Sequence, residues 1–270
     1  MNPKSALVNG KVAAFFDLDG TLLPLPSLER RYFCVLRYKR AFRVSNYFFW
    51  IGKTIRMLPH GLAAIVHANK MYLRGVRIPA PEILIPPFFR EAIERAAWHA
   101  RKGHAIVIMS GTLEALAQQA ARALETLLAA RGIHVTIFVC ATRLQAVAGR
   151  YTGQILGQAM FGQEKVRAMR RLAADMGLDL GKCYAYGNAA NDRWLLAAVG
   201  NPTGVNPRGE LAPIAAMHRW PVVRWSEDDH ELRPPNTFSC RSHKIKKDAI
   251  RRAELKKSER IARSQAESVG

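Results

Sequence analysis

The chain alternates short, continuous apolar runs with longer stretches in which apolar residues recur every third or fourth position. Val12–Phe16, Ala105–Met109 (Ala-Ile-Val-Ile-Met), Val135–Cys140 and Lys182–Tyr186 are runs of the first kind, each long enough for one buried strand. Shorter β-prone segments stand at 202–205 and 222–225. Helical spacing fills the intervals: Leu28 to about Arg40 behind Ser27 as N-cap, Val44–Met57, Gly61–Leu73 with Pro59 as a break before it, Phe88–Lys102, Leu113–Arg131, Glu164–Met176, Asp192–Val199 and Leu211–His218. Around Gly149–Gly153 two short strands are expected to form a hairpin. Strands alternating with helices predict an α/β fold, a parallel, doubly wound sheet. Ligands of such sheets sit at the carboxyl ends of the strands. Asp17, Ser110 and Gly187-Asn188 all follow directly on a strand run.

The interval between the first two long strand runs breaks the alternation. From Leu28 to Lys102 the pattern is helical, punctuated by prolines 79, 81, 86 and 87, and it holds 15 Lys and Arg against 4 Asp and Glu. Arg241–Gly270 is basic as well, with 10 against 4, so these two segments carry most of the net charge of +20. A basic excess confined in this way points to an anionic partner, whether nucleic acid, lipid headgroup or phosphorylated metabolite. After Ser226 the periodicity fades through Glu227-Asp228-Asp229 and Pro234-Pro235, which reads as a linker into a solvated or disordered basic tail. No run approaches the roughly 18 apolar residues of a membrane span, and Met1–Lys11 lacks the apolar core of a signal peptide. The four cysteines (Cys34, Cys140, Cys183, Cys240) are scattered without Cys-x-x-Cys spacing, as expected for reduced thiols in the cytoplasm, with Cys140 and Cys183 in the core.

The first strand run ends in Asp17-Leu18-Asp19-Gly20-Thr21. Carboxylates at i and i+2 of an extended segment project to the same side, and side by side they repel unless a cation or a shared proton compensates. The economical reading is a Mg²⁺-assisted nucleophile with an acid/base partner; a plain strand followed by an Asp-Gly turn has the same pattern. Ser110-Gly111 offers a hydroxyl and backbone N–H groups to phosphate oxygens at a helix start, although strand-Ser-Gly-helix is also ordinary loop grammar. Lys165 sits in the first turn of a helix, against the macrodipole, which invites an electrostatic explanation beside the bland one of a surface lysine. Asn188 and Asp192 flank the turn after Lys182–Tyr186. His60, His67, His99, His104 and His134 show no spacing suggestive of a relay or of metal ligation, and His218 and Trp220 read as packing for the last helix.

Phe16–Arg31 (Phe-Asp-Leu-Asp-Gly-Thr-Leu-Leu-Pro-Leu-Pro-Ser-Leu-Glu-Arg-Arg), with Ile108-Met109-Ser110-Gly111-Thr112, Lys165 and Tyr186-Gly187-Asn188-Ala189-Ala190-Asn191-Asp192, resembles the haloacid dehalogenase-like hydrolases, in particular their phosphoserine-phosphatase-like subfamily IB. The resemblance runs from about Val12 to Trp225 and departs at Asn188, where the family usually has a metal-binding Asp. It implies a Rossmann-like core of 1–24 and 103–226, an inserted helical cap of 25–102, and 227–270 as linker and basic tail. It further implies Asp17 as nucleophile and Asp19 as acid and base, with Ser110, Gly111 and Lys165 on the phosphoryl group. Asp17, Asp19, Asn188 and Asp192 would stand around Mg²⁺.

The expected activity is hydrolysis of a phosphomonoester through an aspartyl-phosphate. Tyr47-Phe48-Phe49-Trp50 beside Lys53 and Arg56 suggests a lipid-pathway phosphate and an anionic membrane surface reached through cap and tail, on a cytoplasmic protein peripheral to the membrane. The same aromatics would also serve as the cap's own core. The alternatives are a soluble, phosphoserine-like substrate, or a non-enzymatic module, binding RNA or membrane, built on a disabled phosphatase core.

Overall fold

Each apolar run lays down one strand of a six-stranded sheet: β1 (Ala13–Phe16), β2 (Ala105–Leu113), β3 (Ile137–Thr142), β6 (Tyr184–Gly187), β7 (Asn201–Val205) and β8 (Val222–Val223). The structure, a computed structural model, describes residues 12–61, 65, 67–78 and 85–226. The linker and basic tail expected at 227–270 lie outside the described residues, as do Pro79, Pro81 and part of the helical stretch expected over 61–73. The strand order is β3-β2-β1-β6-β7-β8 with every pair parallel, the doubly wound α/β fold predicted by the alternation.

Both faces of the sheet are covered, which is why its central strands are apolar throughout rather than alternating. Ala14 and Phe16 of β1 join Ile106 and Ile108 in packing against α3 (Arg90–Arg101) and α4 (Glu114–Ala129). Ala13 and Phe15, with Val107, Met109 and Ala185, face α5 (Gln163–Met176), α6 (Arg193–Ala197) and α7 (Leu211–Met217). Phe15 and Phe16 are fully buried on opposite faces, worth about 2–3 kcal/mol each. Cys183 is buried and Cys140 half-buried, both as free thiols.

β2 continues past the expected end at Met109 to Leu113, with a register irregularity between Ser110 and Leu113. The extension holds because Thr142 Oγ1 donates to the Gly111 carbonyl at 2.8 Å where the ladder shifts.

Between β1 and β2 the chain forms α1 (Leu28–Tyr38), whose N-terminus is capped by Ser27, then α2 (Val44–Met57) and 3-10 turns at Leu58–His60 and Met71–Leu73. The helix expected up to Leu73 stops short because Asn69 turns its side-chain oxygen onto the N–H of Met71, an alternative to the helical bond. Residues 75–78 pair with the hairpin of β4 (Leu144–Val147) and β5 (Arg150–Ile155), through Gly75 N–H to Tyr151 O at 2.7 Å and Tyr151 N–H to Val76 O at 2.8 Å. Two buried asparagines fasten α2: Asn46 Nδ2 donates to Tyr72 O and Arg74 O, and Asn69 Nδ2 to Trp50 O and Thr54 Oγ1, all at 2.8–2.9 Å.

Candidate active site

β1 and β6 are neighbours at the point where the strand order reverses, so their C-terminal loops share one crevice. Asp17 extends the pairing by one residue, its N–H donating to Tyr186 O at 2.9 Å. Into the crevice α5 delivers Lys165 from its first turn. Lys165 Nζ donates to Asp17 Oδ1 at 2.6 Å and to Asp192 Oδ1 at 2.7 Å, all three residues being at least nine-tenths buried. The other oxygen of Asp192 accepts from the N–H groups of Asn188 (3.1 Å) and Ala189 (3.0 Å), which fixes the turn. Gly187 permits that closure, since a Cβ there would lie 2.5 Å from the Asp192 Cβ. Gly20, at φ +92°, lets the two loops interlock: a Cβ on it would fall 1.9 Å from Asn188 Nδ2.

β1 ends at Phe16 and the chain turns over Leu18, and Asp19 stays close enough to Asp17 for its charge to help raise the Asp17 carboxyl. Asp19 Oδ1 accepts from the N–H of Leu28 at 2.7 Å, capping the N-terminus of α1. Burial pushes its pKa up to about 6, against the pull of the Leu28 hydrogen bond. Asp17 rises further, to about 7, through burial first and then the charge of Asp192, with Lys165 opposing both. Burial alone would lower Lys165, but the two carboxylates outweigh it and hold the ammonium above its ordinary range.

With Asp17 ionised, Asp17 and Asp192 together carry one more negative charge than Lys165 neutralises, so the crevice then has room in its charge balance for a cation. The loops carry hard oxygen donors: the Asp17 carboxylate, the amide oxygen of Asn188, whose amide nitrogen is the atom seated against Gly20, and the Asp19 main-chain carbonyl. That set, with amide and carbonyl oxygens, suits Mg²⁺. Among the described residues no group of three or more His, Cys, Asp or Glu is arranged to hold a metal.

Ser110 is fully buried at the β2 irregularity, where its Oγ accepts from the N–H of Thr112 at 3.1 Å. A Cβ on Gly111 would have Met160 O at 3.4 Å and His67 Nδ1 at 4.0 Å. His67 therefore reaches this wall from the inserted segment. It stacks on Phe161 at 3.6 Å, and burial with the charges of Lys70 and Lys165 holds its pKa at about 4.

The histidines require one correction. His99 and His104 form a chain of ring contacts, Nδ1 to Nδ1 at 2.9 Å, and His99 Nε2 meets Tyr186 Oη at 2.9 Å. The turn from α3 into β2 brings the two rings together, and Tyr186 arrives from a strand far along the chain. Tyr186 stacks on Phe16 at 4.5 Å, so this chain supports the floor below Asp17. His218 and Trp220 stack on one another, at 4.8 Å.

Beside the crevice lies a cavity of about 1200 Å³, walled by Phe49, Lys53 and Arg56 of α2, His67, and Phe161 and Arg167 of the core. Glu164 also lines it and is paired with Arg167 (3.3 Å) and Arg171 (2.8 Å). The acid of α1, Glu29, is engaged by Lys70 Nζ and by the Tyr72 hydroxyl, each at 2.5 Å.

Residues 14–197 match the family described as HAD, haloacid dehalogenase-like hydrolase. A probable phosphatase of Mycobacterium tuberculosis is 30% identical over 237 residues, covering 83% of this chain and 79% of its own length. A phosphoserine phosphatase of the same organism is 26% identical over 231 residues, 78% of this chain and 70% of that one. Among solved structures, a protein of unknown function from Bordetella pertussis superposes with a TM-score of 0.61 at 27% identity, over 79% of this chain and 98% of its own.

Proposed function

We propose a mechanism and a substrate class for this chain, which belongs to the haloacid dehalogenase-like hydrolases and is a phosphatase. The observation that carries the proposal is the buried Asp17–Lys165–Asp192 cluster with the raised carboxyl of Asp19 beside it. Asp17 attacks the phosphorus of a monoester; the new Asp17 O–P bond forms as the P–O bond to the leaving group breaks. Asp19 gives its proton to the departing alkoxide. It then takes one from the water that attacks the aspartyl-phosphate, releasing inorganic phosphate and restoring Asp17. A carboxyl near 6 is suited to both halves of this exchange close to neutral pH. Lys165 moves no proton: it pulls Asp17 toward its ionised form and offers charge to the phosphoryl oxygens, which Ser110 and the N–H of Gly111 hold from the β2 side. Mg²⁺ would be held by Asp17, Asn188 and the Asp19 main-chain carbonyl, with Asp192 fixing the Asn188 backbone, and would supply positive charge against the nucleophile and the phosphate.

For the leaving group we read an amphipathic, lipid-pathway phosphate. The cavity beside the crevice offers aromatic walls with Lys53, Arg56 and Arg167, and the neighbouring acids Glu29 and Glu164 are already paired. An amino-acid phosphate would present an ammonium to a carboxylate, and both of these acids already answer a cation, Glu29 through Oε1 and Glu164 through both oxygens. The 26%-identical phosphoserine phosphatase favours a second reading, a soluble phosphoserine-like substrate.

The test is Mg²⁺-dependent hydrolysis of an aryl phosphate by wild type and Asp17→Asn. The variant should lose at least about a thousandfold in kcat while its circular dichroism is unchanged. Near-normal activity in it would end the nucleophile assignment. Lysophosphatidate against phosphoserine, compared by kcat/KM, decides between the two leaving groups.

A further inference from the structure

α2 is inside out. Its inward side is fastened by polar groups, the buried Asn46 and the half-buried Thr54 that bonds Asn69. Its outward side carries Val44, Phe48, Ile51, Ile55 and, in the following 3-10 turn, Leu58, at successive steps of four, three, four and three residues. Those steps place all five on one stripe of the helix. They are 73%, 71%, 48%, 61% and 56% exposed. Tyr47 and Trp50 add half-exposed rings along one side, away from the cavity. A stripe of this kind costs hydration free energy in water and calls for a covering.

The charges at the stripe decide what covers it. Val44–Met57 contains no acidic residue; Arg43 and Arg56 flank the stripe on its two sides, and Lys53 lies on the far side, in the cavity wall. A second copy of the chain laid against the same stripe would bring Arg43 and Arg56 of both copies to the seam without a single counter-charge from either helix. An anionic bilayer surface answers both features at once, taking the apolar residues below its headgroups and the cations among its phosphates. Among the described residues no helix is long and apolar enough to cross a membrane, so the contact is a surface one.

We infer that the Val44–Phe48–Ile51–Ile55–Leu58 face of α2 docks the phosphatase on anionic lipid, with the cavity opening beside the docked face. Phe48 belongs both to the stripe and to the cavity wall, and Gly52 and Arg56 carry the wall around the same helix. A phosphate ester anchored in the bilayer then enters the cavity sideways, from the lipid surface. This use of the surface rests on the lipid-phosphate reading above; the docking itself does not.

The experiment is co-sedimentation of the full chain with vesicles of phosphatidylcholine, with and without phosphatidylglycerol, for wild type and for Ile51→Ser/Ile55→Ser. Neither substituted residue lines the cavity. Aryl phosphate hydrolysis, read without vesicles, checks in parallel that the variant is folded and the chemistry intact. Wild type should partition onto the anionic vesicles at least about tenfold better than onto neutral ones, and the double variant should lose about tenfold or more while hydrolysing the aryl phosphate as before. Absent binding by wild type, equal binding by the variant, or equal partition onto both vesicles overturns the inference. So does a concentration-dependent dimer that the double substitution dissolves, which would make a second copy the occupant. Failure of aryl phosphate hydrolysis in wild type would instead strike the phosphatase mechanism and leave the docking result to stand by itself.

Discussion

The crevice and helix α2 break the usual distribution of polarity in opposite directions. In the crevice Asp17, Lys165 and Asp192 are buried; on α2 Val44, Phe48 and Ile55 are exposed. The crevice answers most of its conflict within the chain, since one ammonium serves two carboxylates and the backbone serves the remaining oxygen of Asp192, and the one charge left over is the cation's share. Nothing on α2 does the same for its stripe. A buried charge answered within the chain marks machinery, whereas an apolar face left unanswered marks a contact the chain makes with something else.

The largest test of this contrast removes the internal answer. Lys165→Met leaves two buried carboxylates facing one another and should cost about 3–5 kcal/mol of stability, as expected when one partner of a buried pair is lost. The melting temperature should fall on the order of 10 °C, with aryl phosphate hydrolysis abolished. A melting temperature within a degree of wild type would mean that the carboxylates are solvated and the crevice is open.

A second test uses pH on the support beneath the crevice. His99 is fully buried, and burial, His104 and Arg95 lower its pKa to about 3. Its folded value lies below the unfolded one of about 6.5, so between the two the unfolded chain binds the extra proton. Its contribution is whole above about 6.5 and is lost as the pH falls toward 3. From pH 6.5 to 5 that loss amounts to about 2 kcal/mol. His99→Gln should flatten this part of the stability curve, measured by urea unfolding at both pH values; an unchanged slope would show that His99 does not cause it.

The metal corner carries a smaller effect. Asn188→Asp adds a carboxylate beside the proposed Mg²⁺ donors and should lower the Mg²⁺ concentration for half-maximal activity about tenfold, roughly 1.4 kcal/mol. An unmoved midpoint would take Asn188 out of the metal's reach. Smallest of all is the effect on the other side of the comparison. Ile55→Ser, at a position 61% exposed, should change the unfolding free energy by less than about 0.5 kcal/mol. A loss of several times that would show Ile55 packed within the chain and return the stripe to the core.

Local pattern makes some of this legible in the sequence and hides the rest. α2 is readable from Val44 to Met57 because its apolar spacing is regular between Arg43 and the break at Pro59. β1 is readable because both its faces are buried, which leaves a continuous apolar run. The crevice is readable as a place, since loops after parallel strands meet on one edge. Its wiring is not: Lys165 meets Asp17 across 148 positions and Asp192 across 27, and no local periodicity encodes such pairs. The same holds for Tyr186, which closes the His104–His99 chain across 87 positions. Asp19 shows a different limit. Strand alternation puts it on the side of Asp17, and what the alternation cannot show is that the first N–H of α1 takes its Oδ1. Nor does a helical pattern tell which side of α2 faces outward; the two asparagines that hold it do.

Asp19 and the inserted segment have one further relation. The N–H that holds the Asp19 carboxylate belongs to Leu28, and the next residue, Glu29, grips Lys70 and Tyr72. The Asp19 carboxylate and the inserted segment therefore hang on consecutive residues of one helix. A displacement at 70–72 has a path to that carboxylate through α1 alone, as through the short arm of a lever, without crossing the sheet. In the mechanism proposed above, the leaving group and the proton that releases it would then be served by the same piece of backbone.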